Sequence, residues 1–91
     1  MERVKVIFQG QVQAVGFRAY CKSFAIQYNL TGSVKNLDDF QLVEAEFQGE
    51  KNAIDNCIKM LVAGNMFIKI QDYAIKSIAI KPLESGFNII F

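Results

Sequence analysis

Residues 10–18 read Gly-Gln-Val-Gln-Ala-Val-Gly-Phe-Arg, and they join two segments whose apolar residues recur with different periods. Before it, apolar residues occupy alternate positions, which predicts a β-strand over residues 3–9. After it, apolar residues recur at spacings of three and four from Phe17 onward, which predicts an amphipathic helix that ends near Asn29. The chain therefore begins with a strand, a glycine-containing loop and a helix.

This loop lies where a helix presents backbone N–H groups that have no partner within the helix. Those groups carry partial positive charge, and Arg18 adds a rigid guanidinium fork beside them. A cation at a helix N-terminus opposes the helix dipole unless an anion is bound nearby. We therefore expect the loop and Arg18 to bind a phosphate-like anion, although an arginine in a first helical turn can also be merely solvated.

The rest of the chain predicts five further elements. They are strands over residues 31–36 and 42–48, a helix around residues 54–61, a strand within residues 68–80 and a short strand over residues 87–91. In the third strand we place Leu42, Ala45 and Phe47 on the apolar side, although Val43 complicates this alternation. Gly64 and Asn65 are expected to cap the second helix.

Both predicted helices have a single apolar face, so both pack most simply on one face of a single, mostly antiparallel sheet. The right-handed crossover rule then favours a ferredoxin-like α/β sandwich of the α+β class, with the order βαββαβ plus a short C-terminal strand. Ninety-one residues are enough for one core, and we predict one domain over residues 1–91.

The composition excludes several classes of partner. With a net charge of +1 and scattered basic residues, the chain offers no general electrostatic reason to bind nucleic acid or a membrane surface. No apolar run approaches the roughly 20 residues that span a bilayer, and the charged start Met-Glu-Arg-Val does not read as a secretory signal. We therefore expect a cytoplasmic protein without a nucleic-acid or membrane partner.

The cysteines and the lack of histidine limit the chemistry further. Cys21 and Cys57 fall on the apolar stripes of the two predicted helices, which favours buried, reduced thiols, with a disulfide between the helices left open. The sequence contains no histidine, so the usual general base and the commonest zinc ligand are both missing. Mechanisms that pair serine or cysteine with histidine are excluded.

Two motifs carry a resemblance to a known family. Residues 10–18 resemble the first signature of the acylphosphatases, which usually reads Gly-x-Val-Gln-Gly-Val-x-Phe-Arg. Residues 32–36, Gly-Ser-Val-Lys-Asn, resemble the second signature, Gly-x-Val-x-Asn. The order of elements and the closing residues 86–89 also fit, so the likeness spans essentially the whole chain.

The resemblance implies hydrolysis of an acyl phosphate to a carboxylate and inorganic phosphate by a small monomer, without metal or cofactor. By position, Arg18 would bind the substrate phosphate and Asn36 would orient the attacking water. A phosphate or sulfate ion would be held by residues of the loop, namely Gln13, Ala14, Val15, Gly16, Phe17 and Arg18. A carboxylate leaves without needing a proton, so a site without histidine suits this reaction.

The chain departs from the family pattern at two positions. Ala14 stands where the family usually has glycine, and a left-handed backbone there would cost alanine roughly 1 kcal/mol. Phe40 stands where the family's turn typically carries glycine, which predicts a differently shaped turn after Asn36. These departures leave open a catalytically weak or inactive relative that only binds anions or acyl phosphates.

A third hypothesis is a reader of single-stranded RNA, since RNA-recognition modules share this sandwich. Such modules need exposed aromatic residues within basic motifs on their middle strands. This chain offers only Phe8 and Phe47 there, and Glu44 and Glu46 make the third strand acidic. RNA binding therefore ranks well behind the other two hypotheses.

Overall fold

The computed structural model describes residues 1–91 and contains every predicted element. They are β1 (Glu2–Gln11), α1 (Phe17–Gln27), β2 (Thr31–Asn36), β3 (Leu42–Gly49), α2 (Lys51–Ala63), β4 (Lys69–Ser77) and β5 (Phe87–Ile90). The second helix begins at Lys51, before the predicted start at residue 54. The apolar pattern did not reveal this start because Lys51 and Asn52 are polar and exposed. Neither helix combines the length and the apolar character that a bilayer crossing requires.

The five strands form one sheet in the order β4-β1-β3-β2-β5. All neighbours pair antiparallel except β2 and β5, which run parallel with Gly32 opposite Phe87 and Lys35 opposite Ile90. The buried residues of both helices share one core with the inward residues of the strands. This arrangement confirms the predicted α+β, ferredoxin-like sandwich, with β5 as an added edge strand.

The core fills the space between the helices and the inner face of the sheet. In β3 the inward residues are Val43, Ala45 and Phe47, so the prediction that Leu42 faces inward was wrong by one position. Phe8 and Phe47 are completely buried. The aromatic side chains that an RNA reader would need on its open face are therefore in the core.

Both cysteines belong to this core as free, buried thiols. Burial raises the pKa of the Cys57 thiol to about 12. Burial also raises the pKa of the Cys21 thiol well above its usual range, with a smaller contribution from Cys57. Since the thiolate is the reactive form of cysteine, neither side chain is a nucleophile near neutral pH.

The topology brings the C-terminal ends of β1, β2 and β5 to the same end of the sheet. β1 ends at Gln11 and its loop leads into the start of α1, while β2 ends at Asn36. Because β5 runs parallel to β2, its last residues lie at the same end of the sheet as Asn36. β5 also packs against α1. The site described below lies where these ends meet.

The chain must cross the sheet between β4 and β5, because these strands occupy opposite edges. The crossing segment, residues 78–86, is fastened by Arg3, whose buried guanidinium donates hydrogen bonds to Glu84 at 2.7 Å and 3.0 Å and to Glu46 at 2.8 Å. Gln48 adds bonds to both backbone polar groups of Lys81. These contacts hold the segment against the open face of the sheet.

Candidate active site

The loop between β1 and α1 presents a series of free backbone donors. Ala14 and Gly16 both adopt left-handed conformations, with φ of 61° and 79°. No N–H of residues 13–16 donates a backbone hydrogen bond within the chain. Gly16 caps α1 without a side-chain hydrogen bond, and the first turn of the helix contains no acidic residue. Left-handed residues within such a loop turn successive N–H groups into a concave anion-binding surface.

Near the end of β1, just before this loop, position 10 requires glycine for a steric reason. The pairing of β1 with β4 shifts register between Gln9 and Gly10, and Gly10 has a φ of 144°. A Cβ at this position would collide with the backbone carbonyl of Lys69. Gly10 therefore accommodates this register shift, and both Gly10 and Gln11 stay paired with β4 beyond it.

Arg18 lies in the first turn of α1 and is half-buried. No carboxylate lies within ion-pair distance of its guanidinium, unlike the buried Arg3. The ring of Phe91 lies over the guanidinium, with 4.9 Å between Cζ and the ring centroid. An unpaired cation beside unsatisfied N–H groups is suited to an anionic ligand.

Asn36 is the last residue of β2 and pairs with Val43 of β3. Its Oδ1 atom is buried and accepts no hydrogen bond from the protein. Buried polar atoms are nearly always hydrogen-bonded, so an exception points to a functional partner. A carbonyl oxygen of this kind can accept a hydrogen bond from a water molecule and fix its orientation.

Gln13 has a structural contact that the sequence did not reveal. Its side-chain amide donates to the carbonyl oxygens of Leu37 at 2.9 Å, Asp39 at 3.1 Å and Leu42 at 2.9 Å. These acceptors form the turn that follows Asn36. The side chain of Gln13 therefore connects the loop between β1 and α1 to the turn that follows Asn36. Only the backbone N–H of Gln13 remains for a ligand.

The turn itself adapts to Phe40 without strain. Phe40 has no positive φ, and its side chain is mostly exposed. The turn is closed by bonds from the Leu42 N–H to the Asp39 carbonyl and from the Leu37 N–H to the Leu42 carbonyl. With this turn, Asn36 still lines the cleft, and the expectation that Phe40 gives the turn a different shape from the family's stays a prediction.

One cleft of about 270 Å³ brings most of the predicted site residues together. Its walls are formed by Val12, Ala14, Gly16, Phe17, Arg18, Ala19, Asn36, Ile89 and Phe91. Val15 instead packs against the core, and Phe17, whose ring is almost fully buried, offers the site little beyond its backbone. The sequence did not single out Ile89 and Phe91, because their approach depends on the parallel register of β5.

Comparisons with known proteins show what the whole chain is similar to. The family model described as "Acylphosphatase" matches residues 4–89. The chain is 41% identical over its full length to an acylphosphatase of Geobacillus thermodenitrificans, covering 96% of that protein. It is 37% identical to an acylphosphatase of Clostridium acetobutylicum, covering all of this chain and 99% of that one. The crystal structure of acylphosphatase from Bacillus subtilis superposes over the full length of both chains with a TM-score of 0.92 at 31% identity.

Proposed function

Because this chain belongs to the acylphosphatase family, we propose that its cleft hydrolyses the carboxyl–phosphate bond of acyl phosphates through Arg18, the loop N–H groups and Asn36. The products are a carboxylate and inorganic phosphate. The single observation that carries the residue assignment is the buried, unpaired Oδ1 of Asn36 in the same cleft as the unpaired guanidinium of Arg18.

The first task of the site is to hold the phosphoryl group. The guanidinium of Arg18 donates two parallel hydrogen bonds to phosphate oxygens, and the N–H groups of residues 13–18 surround the same group. These donors are fixed by the fold before the substrate arrives. They therefore stabilise the charge that spreads over the phosphoryl oxygens in the transition state without further reorganisation.

The second task is to place the water. Asn36 Oδ1 accepts a hydrogen bond from that water and directs its oxygen toward phosphorus. The new P–O bond forms as the bond between phosphorus and the acyl oxygen breaks, and the electron pair leaves with the carboxylate. One proton of the water remains on the phosphate, and the other passes through a phosphate oxygen to solvent. A carboxylate needs no protonation to leave, so no general acid takes part.

Phosphate release from acetyl phosphate in EDTA tests these assignments. Because each residue supplies fixed hydrogen bonds in the transition state, we expect Arg18→Ala and Asn36→Ala each to lower kcat/KM by about 100-fold or more. Arg18→Lys should recover little of the loss, since lysine cannot form the bidentate contact. Lys59→Ala and Asn56→Ala, both exposed on α2, are the matched controls and should keep full activity.

The outcomes separate the two hypotheses. Full turnover in Arg18→Ala or Asn36→Ala would disprove the assignment of that residue. A wild-type protein that releases no phosphate, yet unfolds at a higher temperature with added phosphate, would be the binding-only relative. The phosphate or sulfate ion in the loop, the monomeric state and the cytoplasmic location belong to the same proposal and stay predictions.

A further inference from the structure

The outer side of β4 has no neighbouring strand. β4 forms one edge of the sheet and pairs only with β1, and it is exposed along almost its whole length. Just past the strand, the Ile78 N–H donates to the Arg3 carbonyl at 3.0 Å, so it points toward β1. Because backbone groups alternate between the two sides of a strand, those of Tyr73, Ile75 and Ser77 point outward. β4 therefore presents a regular row of backbone donors and acceptors to solvent.

Two apolar side chains of this edge lie on the face of the sheet that the helices cover. Tyr73 and Ile75 lie opposite buried residues of β1 and therefore share their face. Tyr73 is nevertheless 43% exposed and Ile75 51% exposed. Together with residues of α2, among them Ile58 and Val62, they line a groove of about 260 Å³. The apolar layer of the sandwich thus reaches the edge, where a strand added to β4 would extend it.

The charged residues of β4 on the open face lack ion-pair partners. Neither Asp72 nor Lys76 takes part in an ion pair within the chain. Lys76 lies directly opposite Lys5 of β1, and like charges in such a pair are destabilising. The Asp72 carboxylate accepts a hydrogen bond from the outward N–H of Tyr73 at 2.8 Å. Both side chains are therefore available to opposite charges on another strand.

The sequence of β4 is complementary to itself in one antiparallel register. With Ala74 on a two-fold axis, Asp72 of each copy lies opposite Lys76 of the other. In the same register Tyr73 lies opposite Ile75, an aromatic and β-branched pair, and both direct their backbone groups toward the second copy. The Tyr73 N–H then donates across the axis, which frees the Asp72 carboxylate for Lys76. A shift of the register by two residues in either direction removes both charge pairs.

We propose that two copies of this chain associate reversibly through β4, with Ala74 on the two-fold axis, and so join their sheets into one. Charges on an edge strand usually prevent such pairing. Here their spacing about Ala74 brings opposite charges together, which is the self-complementarity that a two-fold interface requires. One strand pair and the groove beside it form a small interface, so we expect a dissociation constant on the order of 100 µM. The monomer then remains the form present in a dilute activity assay, and the inference is independent of the proposed function of the cleft.

Sedimentation equilibrium at concentrations from about 10 µM to about 1 mM tests this association. The average mass of the wild type should rise from the 10.3 kDa of one chain toward twice that value. Lys76→Asp brings carboxylates together in both charge pairs, so we expect the dissociation constant to increase by about tenfold or more. Asp72→Lys combined with Lys76→Asp exchanges the two charges and should restore the constant to within about threefold of the wild type.

Lys69→Asp is the matched control, because it makes the same change in net charge on the same strand. In the proposed register, Ser77 of the second copy lies opposite Gln71, so Lys69 lies beyond the paired residues. Its dissociation constant should stay within about twofold of the wild type.

The contradicting outcomes concern both the association and its register. A wild-type protein that stays monomeric at about 1 mM would overturn the proposal and leave the edge of β4 to a different partner. A dimer that Lys76→Asp does not weaken, that the double variant does not restore, or that Lys69→Asp weakens equally would mean that two copies meet elsewhere, and would overturn it as well.

Discussion

Ala14 is a residue whose backbone conformation conflicts with its side chain. It has a φ of 61°, a left-handed value that costs an L-residue about 1–2 kcal/mol. The left-handed backbone under which alanine carries this cost is therefore present at Ala14. Gly16, two residues later, adopts a similar φ without that cost, and a Cβ there would meet only open space. The loop thus keeps its left-handed backbone at Ala14 at the expense of some stability.

Replacing Ala14 with glycine should relieve this strain. We expect Ala14→Gly to raise the free energy of unfolding by about 0.5–1 kcal/mol, since the lost strain exceeds the added flexibility of the unfolded chain. Turnover should be equal or higher, because the substitution also removes a methyl group from the wall of the cleft. Urea unfolding and phosphate release measure the two effects.

An alanine in a regular conformation provides the control for that substitution. Ala63→Gly, at the exposed end of α2, should lower stability by up to about 1 kcal/mol, because glycine is a poor helix former. If Ala14→Gly destabilised the protein as Ala63→Gly does, the strain at Ala14 would be disproved. A clear loss of turnover in Ala14→Gly would mean that the methyl group assists the reaction.

Among the elements, the sequence predicted the order of strands and helices, and the structure brings Arg18 and Asn36, which the sequence singled out, into one cleft. Periodicity was sufficient where an element buries one face, as β1, β3 and both helices do, and its signal fades where residues are exposed, as at Lys51 and along most of β4. The contacts between elements were not predictable in this way. Loop geometry brings the Gln13 side chain to the turn after β2. The register of β5 brings the Phe91 ring to within 4.9 Å of Arg18 Cζ. Neither pair has a local pattern that distinguishes it.

Across the whole molecule, Arg3 forms a hydrogen-bonded cluster with Glu46, Gln48 and Glu84 on the open face of the sheet, called the Arg3 cluster below. It fastens residues 78–86 across the open face, and this segment delivers the chain to β5 and hence to Ile89 and Phe91. The cluster lies at the opposite end of the sheet from the cleft, since Arg3 is near the start of β1. The strand that contributes Ile89 and Phe91 to the cleft is therefore preceded by a segment that is fastened at the other end of the sheet.

The cluster should give stability a specific dependence on pH. The hydrogen bond from Arg3 holds the pKa of the Glu84 carboxyl below its usual value of 4.5. A carboxylate with a lowered pKa in the folded state contributes stability that is present above its unfolded pKa and is lost as the pH falls through the folded value. We expect Glu84→Gln to lower the free energy of unfolding by about 1–2 kcal/mol at pH 7, and the difference from the wild type to shrink progressively below about pH 4.5.

Urea unfolding between pH 3 and pH 7 measures that difference. Asp55→Asn is the control, because Asp55 pairs with Lys51 in an exposed i,i+4 ion pair that should contribute only about 0.5 kcal/mol or less. A deficit in Glu84→Gln that stayed constant down to pH 3 would contradict a stabilising charged pair between Arg3 and Glu84.

Hydrolysis of acetyl phosphate in ¹⁸O-labelled water shows whether the cleft directs water onto phosphorus. Attack on phosphorus places the label in inorganic phosphate, whereas attack on the carbonyl carbon places it in acetate. The arrangement of Arg18, the loop N–H groups and Asn36 predicts one labelled oxygen in each phosphate released and none in acetate. Label in the acetate, or no hydrolysis by the wild-type protein, would contradict attack of water on phosphorus in this cleft.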